Sequence, residues 1–239
     1  MLALALSSEL LLKTSNHKIS QFVFFATLFT YNYQRVVRIK KGLKHVRKAW
    51  LAKQNIAIYI LMVCGGLVST YCFFEFQLVT KVFIVFVALL SVLYPFGLRK
   101  IPFIKIFIIS FVWAVSTMLL LALENNIPIS QTIVLQLLSR FLFVFAITIP
   151  FDIRDLKYDD QNTQTIPLFF GTLKARFIAI LSLFICLAIS VFQYLEKTII
   201  SSNLLALILL YFVASILIVK SDEKRGEMYF SFWVESLSI

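Results

Sequence analysis

The chain has 239 residues, of which 60% are hydrophobic and only 15% are charged, well below the roughly 25% charged residues of a soluble domain. This composition excludes a soluble globular fold. The net charge of +11 does not indicate nucleic acid as a partner, because the cations fall between long apolar segments. We expect a single all-α domain over residues 1–239, a multi-pass transmembrane helical bundle of about nine helices.

Apolar segments recur along the whole chain. Five carry no charge and approach or exceed the ~17 to 25 residues that span a bilayer; they are residues 56–74, 82–98, 106–123, 177–195 and 198–219. Two more are predicted to span: residues 19–34, between Lys18 and Arg35, and residues 127–150, which Arg140 interrupts. Residues 1–12 and 229–239 are shorter and each contains a glutamate, so partial spans and re-entrant segments stay open for them. A cleaved secretory signal is not expected.

The cations alternate between the two sides of this helical arrangement. Of the 23 Lys and Arg residues, 18 lie in residues 35–53, 99–105, 154–176 and 220–225, which all fall on one side when nine spans are counted. By the positive-inside rule this side is cytoplasmic. The N-terminus is then cytoplasmic, the C-terminus is outside, and the two longest polar stretches, residues 35–55 and 151–176, are cytoplasmic loops.

Four carboxylates lie within nine residues in the stretch DIRDLKYDD, residues 152–160. On a helix that continues from the sixth span, Asp152, Asp155 and Asp159 lie within about 60° of one face. Like charges on one face repel unless a cation joins them, and Mg²⁺ typically bridges one or two carboxylates to substrate phosphates. A solvated loop is the alternative, in which these acids pair with neighbouring cations: Arg154, Lys157, Lys174 and Arg176.

The same stretch resembles a known motif. FDIRDLKYDDQNTQTIPLFFG, residues 151–171, is similar to the second aspartate-rich motif of the UbiA family of membrane prenyltransferases. The D-x-x-x-D core corresponds to Asp155 and Asp159, with Asp152 before it and Thr165 and Gly171 after it. The resemblance implies nine helices, active-site loops after helices two and six, and transfer of a prenyl group from a prenyl diphosphate to a lipophilic, commonly aromatic acceptor within the bilayer. It also implies that Asp155 and Asp159 are catalytic and, with Asp152, bind Mg²⁺.

The first aspartate motif of that family, N-D-x-x-D-x-x-x-D, is degenerate here. The matching residues are NYQRVVRIK, residues 32–40. Asn32 matches the leading Asn, but the three aspartate positions hold Tyr33, Val36 and Lys40. Either Arg35 and Arg38 replace one Mg²⁺ as diphosphate ligands, since guanidinium groups bind phosphate bidentately, or the site binds a lipid diphosphate without chemistry.

Four further cations are candidates for a role. Arg99 and Lys100 lie in YPFGLRKIP, residues 94–102, which resembles the Tyr-Pro and basic residues of the family. They are candidate diphosphate ligands, although topology anchors fit them equally. Lys105 is predicted to snorkel to the interface. Arg140, within the sixth span, is predicted to face the bundle interior and to bond backbone carbonyls or a buried acid.

Other classes of membrane protein fit less well. A transporter would show internal repeats or Gly/Pro-broken helices near the midplane, and neither is evident. The patterns therefore favour a multi-pass protein of a bacterial cytoplasmic (inner) membrane, whose active-site loops face the cytoplasm and whose partners are the bilayer, a prenyl diphosphate and a lipophilic acceptor. A non-catalytic relative that binds a lipid diphosphate is the alternative, and a transporter is less favoured.

Overall fold

A computed structural model of the protein describes residues 1–14, 16–40, 55–94, 101–156 and 165–238. Over these residues the fold is all-helical and contains no strand, as the composition predicts. The ten α-helices are α1 (Leu2–Leu12), α2 (Lys18–Lys40), α3 (Asn55–Glu75), α4 (Leu78–Leu93), α5 (Ile104–Ala114), α6 (Leu120–Glu124), α7 (Gln131–Asp155), α8 (Ile166–Phe170), α9 (Thr172–Leu195) and α10 (Ser201–Lys220). A π-helical turn, Val115–Leu119, joins α5 to α6, and a C-terminal segment is π-helical over Tyr229–Val234 and 3₁₀-helical over Glu235–Ser238.

Five helical stretches within these ranges are long and apolar enough to cross a membrane: Ile56–Glu75, Ile104–Glu124, Gln131–Asp155, Thr172–Leu195 and Ser201–Lys220. One segment differs from the sequence prediction in length, and another agrees with it. The segment predicted at residues 82–98 corresponds to α4, which has 16 residues and ends at Leu93. By contrast, the segment that Arg140 interrupts forms the longest of the five, with 25 residues, because one charged side chain leaves the hydrogen bonds of a helical backbone intact.

The helices form two packed groups. The larger core joins α5, α7, α9 and α10, and includes fully buried alanines on α9 such as Ala175 and Ala179. The second core joins α1, α2 and α4 to the π-helical turn, where Val115 is buried. The π-helical turn thus lies where the two groups meet, and α1 packs on both the turn and α2.

Helices α2 and α3 approach each other closely at a pair of glycines. A Cβ atom added at Gly65 would lie 2.9 Å from the carbonyl oxygen of Phe25, and one at Gly66 would lie 3.3 Å from the ring of Phe29. Small residues allow such close approach between membrane helices, whose association depends on van der Waals packing. These glycines therefore fix the spacing of α2 and α3.

The ends of two long helices set the position of the charged residues. Helix α7 begins after Ser130, whose hydroxyl accepts a hydrogen bond from the backbone N–H of Ile133. It continues through Pro150 to Asp155. Helix α5 begins at Ile104 and packs along α7. The first turn of α5 and the last turns of α7 consequently meet at one end of the bundle.

Candidate functional site

The last two turns of α7 carry two carboxylates one helical turn apart. Asp152 is 1% exposed, whereas the side chain of Asp155 is 29% exposed. Because an i, i+3 spacing places two side chains on the same face of a helix, both point towards the neighbouring elements. Asp152 is therefore the inner carboxylate of the pair and Asp155 the outer one.

Lys105, in the first turn of α5, joins both carboxylates. Its Nζ lies 2.5 Å from Oδ1 of Asp152 and 3.9 Å from Oδ2 of Asp155. The prediction that Lys105 snorkels to the interface is wrong, because a carboxylate within the bundle offers the ammonium a charged partner. Lys105 thus links the start of α5 to the end of α7.

Arg154 extends this cluster to the C-terminal segment. Its Nε donates a hydrogen bond to Oδ1 of Asp155 at 2.8 Å, and its Nη1 lies 3.4 Å from Oε1 of Glu227. The guanidinium also lies 5.4 Å from the ring centre of Phe151 and 5.8 Å from that of Phe230, within the range of cation–π attraction. The pairing of Asp155 with Arg154 matches the solvated-loop alternative, but the burial of Asp152 does not.

The five charged side chains form what we term the acid–cation cluster: Lys105, Asp152, Arg154, Asp155 and Glu227. Two cations and three carboxylates give it a formal charge of −1 when all five are ionised. A cluster with this charge does not attract a diphosphate by itself, since the anion would meet more carboxylates than cations. Additional positive charge is required for such a ligand to bind.

The chemistry of the described carboxylates fits one shared magnesium ion. Within the described residues, no group of three or more His, Cys, Asp and Glu side chains is arranged to hold a metal. Mg²⁺, however, is usually held by only one or two carboxylates together with substrate phosphates. Asp152 has one oxygen bonded to Lys105, whereas both oxygens of Asp155 lie near a cation, Arg154 at 2.8 Å and Lys105 at 3.9 Å. Mg²⁺ would therefore take the second oxygen of Asp152 and replace the longer contact of Asp155.

Two tyrosines from the other helical group lie near the acid–cation cluster. Tyr94, directly after α4, is within electrostatic range of Lys105, and Tyr31 on α2 is within electrostatic range of Arg154. Tyr94 is buried, 4% exposed. Helices α2 and α4 therefore complete the surroundings of a cluster built on α5 and α7.

The same two tyrosines line a largely apolar cavity of about 210 Å³. We term it the tyrosine cavity. It lies between α2, α4 and α5, and its walls carry the aromatic residues Phe22 and Trp113. The remaining lining residues include Val23, Ala26, Ile84, Val87, Ala88, Ile108, Ile109 and Val112. An apolar chamber thus begins beside the charged cluster.

The structure describes only part of the predicted site. Asn32 is buried on α2, where its Nδ2 donates a hydrogen bond to the carbonyl oxygen of Leu28 at 2.8 Å. Arg35 and Arg38 belong to the same helix, but their side chains lie outside the description. Asp159, Arg99 and Lys100 also lie outside the described residues.

Sequence reasoning missed Lys105 and Glu227 as members of the cluster. The alternation of cations places the start of α5 and the end of α7 on one side of the bundle, and this was the available signal for Lys105. Nothing in the spacing identifies its partner, which is 47 residues away. Glu227 is 73 residues from Arg154 and carries no motif.

The described residues form a bundle of apolar helices, with a charged cluster at one end and an apolar cavity beside it, as in a multi-pass membrane protein. The whole fold is similar to the apo structure of a UbiA homolog from Aeropyrum pernix K1, with a TM-score of 0.76 at 12% sequence identity, over 99% of this chain and 92% of that one. No curated protein matches the sequence. Residues 46–236 match the UbiA prenyltransferase family, and the chain belongs to this family. Its fold and family support prenyl transfer as the general reaction.

Proposed function

We propose that this protein transfers a prenyl group from a prenyl diphosphate to a lipophilic, aromatic acceptor within the membrane. The observation that carries the proposal is the adjacency of two features of opposite polarity. The acid–cation cluster, once a metal ion supplies further positive charge, suits a diphosphate head, and the tyrosine cavity suits an isoprenoid tail. Tyr31 and Tyr94 belong to the surroundings of both, so one amphiphilic donor can reach both.

The charge of the cluster supports a requirement for Mg²⁺. With a formal charge of −1, the cluster needs positive charge beyond Lys105 and Arg154 before a diphosphate can bind. Asp152 and Asp155, together with Asp159, are the carboxylates that would hold the ion. When bound, Mg²⁺ supplies charge that neutralises the departing diphosphate.

The cations of the cluster have distinct roles in this proposal. Lys105 holds the buried Asp152 in one orientation and keeps a positive charge beside it. Arg154 orients Asp155, since a bond from Nε fixes one carboxylate oxygen. Five more residues make further diphosphate contacts in this proposal. One is Asn32, whose side chain bonds to the carbonyl oxygen of Leu28. The side chains of the other four lie outside the description; these are Arg35, Arg38, Arg99 and Lys100.

The tyrosine cavity would receive the prenyl tail and the developing allylic cation. Its apolar walls exclude water, which would otherwise capture such a cation. The faces of Phe22 and Trp113 present negative π-density to a positive centre. We infer that the acid–cation cluster faces the cytoplasm of a bacterial cell, because most cations of the chain fall on the same side of the membrane as the cluster.

A second function has its own support. Asp152 and Asp155 are both ion-paired with cations of the cluster, and the first aspartate motif holds Tyr33, Val36 and Lys40 instead of aspartates. A site of this kind suits binding of a lipid diphosphate without transfer. The same experiment separates the two functions.

The test combines turnover and binding on the purified protein in lipid nanodiscs. Geranyl, farnesyl and geranylgeranyl diphosphate are supplied with a panel of hydroxylated aromatic acids and quinols, with and without Mg²⁺, and released diphosphate is measured. We expect release only with Mg²⁺. If the protein binds a non-hydrolysable prenyl diphosphate analogue but releases no diphosphate from the three substrates, the non-catalytic function is supported. If it shows neither binding nor release, both functions are contradicted.

Matched aspartate variants locate the effect. Asp155→Asn should lower turnover or Mg²⁺-dependent binding by at least roughly 10- to 100-fold, the loss typical even of residues that only orient a metal ligand. Asp222→Asn is the control, because Asp222 is 50% exposed and pairs with Arg176 at 3.6 Å. The backbone N–H of Lys224 and the charge of Arg176 hold the pKa of Asp222 below its ordinary value, so the control also removes an ionised carboxylate. Equal effects of the two variants would contradict a site at Asp155.

A further inference from the structure

A second cavity, of about 290 Å³, lies in the other helical group. We term it the arginine cavity. Its walls come mainly from α1, α7, α9 and α10, and most of them are apolar, including Leu4, Phe143, Leu207 and Leu210. Its polar residues on α7 are Gln136, Ser139 and Arg140. Arg140 lies twelve residues before Asp152, about 18 Å along the helix at 1.5 Å per residue, so this cavity is separate from the acid–cation cluster.

The arginine cavity opens towards the end of the bundle where α7 and α10 begin. Asn203 and Ile199 line it at the start of α10, and Gln193 lines it near the end of α9. Gln193 is anchored there by a hydrogen bond from its Nε2 to the carbonyl oxygen of Thr132 at 3.1 Å. The acid–cation cluster is at the opposite end of α7. The arginine cavity and the acid–cation cluster therefore lie towards opposite faces of the membrane.

Arg140 contributes a positive charge to this cavity without an acidic partner among the described residues. Its Nη2 donates hydrogen bonds to the hydroxyls of Ser7 and Ser8, both at 2.9 Å. The expected backbone carbonyl or buried acid is therefore replaced by two neutral hydroxyls of α1. A guanidinium has five N–H donors, and those on Nε and Nη1 have no partner in the described part of the chain. The described lining residues of the cavity include no Asp or Glu.

One turn before Arg140, an acceptor also lacks a partner. The Oε1 atom of Gln136 is buried without a hydrogen bond to any described residue, and Gln136 lines the same cavity. A buried acceptor without a donor and a partly buried cation without an anion are both costly in a membrane. One ligand with an oxyanion and a hydroxyl would satisfy both groups.

We propose that the arginine cavity binds the head group of an anionic phospholipid that carries a hydroxyl. The phosphate accepts hydrogen bonds from Nε and Nη1 of Arg140, and a head-group hydroxyl donates to Oε1 of Gln136. The acyl chains leave along the apolar walls into the bilayer. This lipid lies in the leaflet opposite the acid–cation cluster, and its binding does not depend on prenyl transfer.

The test measures lipid affinity of the detergent-purified full chain by native mass spectrometry. The probes are a phosphatidylglycerol, a phosphatidylcholine of the same acyl chains, and soluble glycerol 1-phosphate. We expect phosphatidylglycerol to bind at least tenfold more tightly than phosphatidylcholine. Equal affinity for the two lipids would overturn the proposal, and tight binding of glycerol 1-phosphate alone would overturn the assignment to a lipid.

Three variants assign the binding to the cavity. Arg140→Gln should reduce phosphatidylglycerol affinity at least tenfold, to the level of phosphatidylcholine. Lys197→Gln is the matched control, because Lys197 is an exposed cation at the same end of the bundle and does not line the cavity. Ala206→Phe fills the cavity from α10 without altering Arg140, so it should also abolish the preference for phosphatidylglycerol over phosphatidylcholine. This variant keeps the test decisive if Arg140→Gln does not fold. Wild-type lipid preference in both cavity variants would refute the site.

Discussion

Replacing Lys105 with methionine should destabilise the bundle by removing the partner of a buried carboxylate. The side chain of Asp152 is 2% exposed, and Lys105 holds it at 2.5 Å. Removing one partner of a buried ion pair leaves an uncompensated charge, which typically costs about 3 to 5 kcal/mol. The Lys105 side chain is 16% exposed, so some water reaches the remaining carboxylate, and we expect a loss of about 3 kcal/mol, near the lower end of that range.

The measurement is equilibrium unfolding in mixed micelles, with a denaturing detergent titrated against helical circular dichroism. Lys81→Met is the matched control, because Nζ of Lys81 has only weak partners among the described residues: the carbonyl oxygen of Phe74 at 2.9 Å and the ring of Phe73, whose centre is 5.9 Å away. A single exposed hydrogen bond of this kind contributes about 1 kcal/mol or less. Methionine preserves most of the length of lysine in both variants, so the difference between them reports the charge pair.

A second substitution in the same protein separates charge from packing. Replacing a buried ion pair with apolar residues of similar volume is often neutral. Asp152→Leu in the Lys105→Met background should therefore recover most of the lost stability, which gives a large coupling free energy in the double-mutant cycle. Equal losses for Lys105→Met and Lys81→Met, or no recovery in the double variant, would refute the buried pair.

Two further predictions concern helix α2 and its neighbour α3. Gly65→Ala should lower the free energy of unfolding by about 1 to 3 kcal/mol through overpacking, since the new Cβ would lie 2.9 Å from the carbonyl oxygen of Phe25. Gly226→Ala is the control, because nothing lies within 4 Å of a Cβ added there. Equal unfolding midpoints for the two variants would contradict the close packing of α2 and α3. Arg35→Gln and Arg38→Gln should each weaken binding of the prenyl diphosphate analogue in a titration with Mg²⁺ present; unchanged affinity in both would make these residues topology anchors.

The features that follow from local sequence were predictable. Hydropathy identifies the helical segments because a membrane span must be both helical and apolar. Helical periodicity predicts that Asp152 and Asp155 share a face, and both lie within reach of Lys105. Family membership was visible in residues 151–171, and the match over residues 46–236 confirms it.

The partners of charged groups were not predictable, because they depend on which helices pack together. Lys105 has an apolar segment after it and a basic stretch before it, and both patterns favour a snorkelling lysine. Its actual partner is Asp152, which lies on α7. None of the described acids pairs with Arg140, and two serines of α1 bond to it instead. Sequence patterns rank such partners by charge, whereas the fold selects them by proximity.

The bond between Arg140 and α1 has a consequence for the order of synthesis. Ser7 and Ser8 precede Arg140 by 133 and 132 residues, so the ribosome makes more than half of the chain before these contacts can form. Helix α1 has 11 residues, fewer than the ~17 needed to span a bilayer alone. Helix α1 can pack on α2 and on the π-helical turn earlier, but its two serines meet their cationic partner only after α7 has been made.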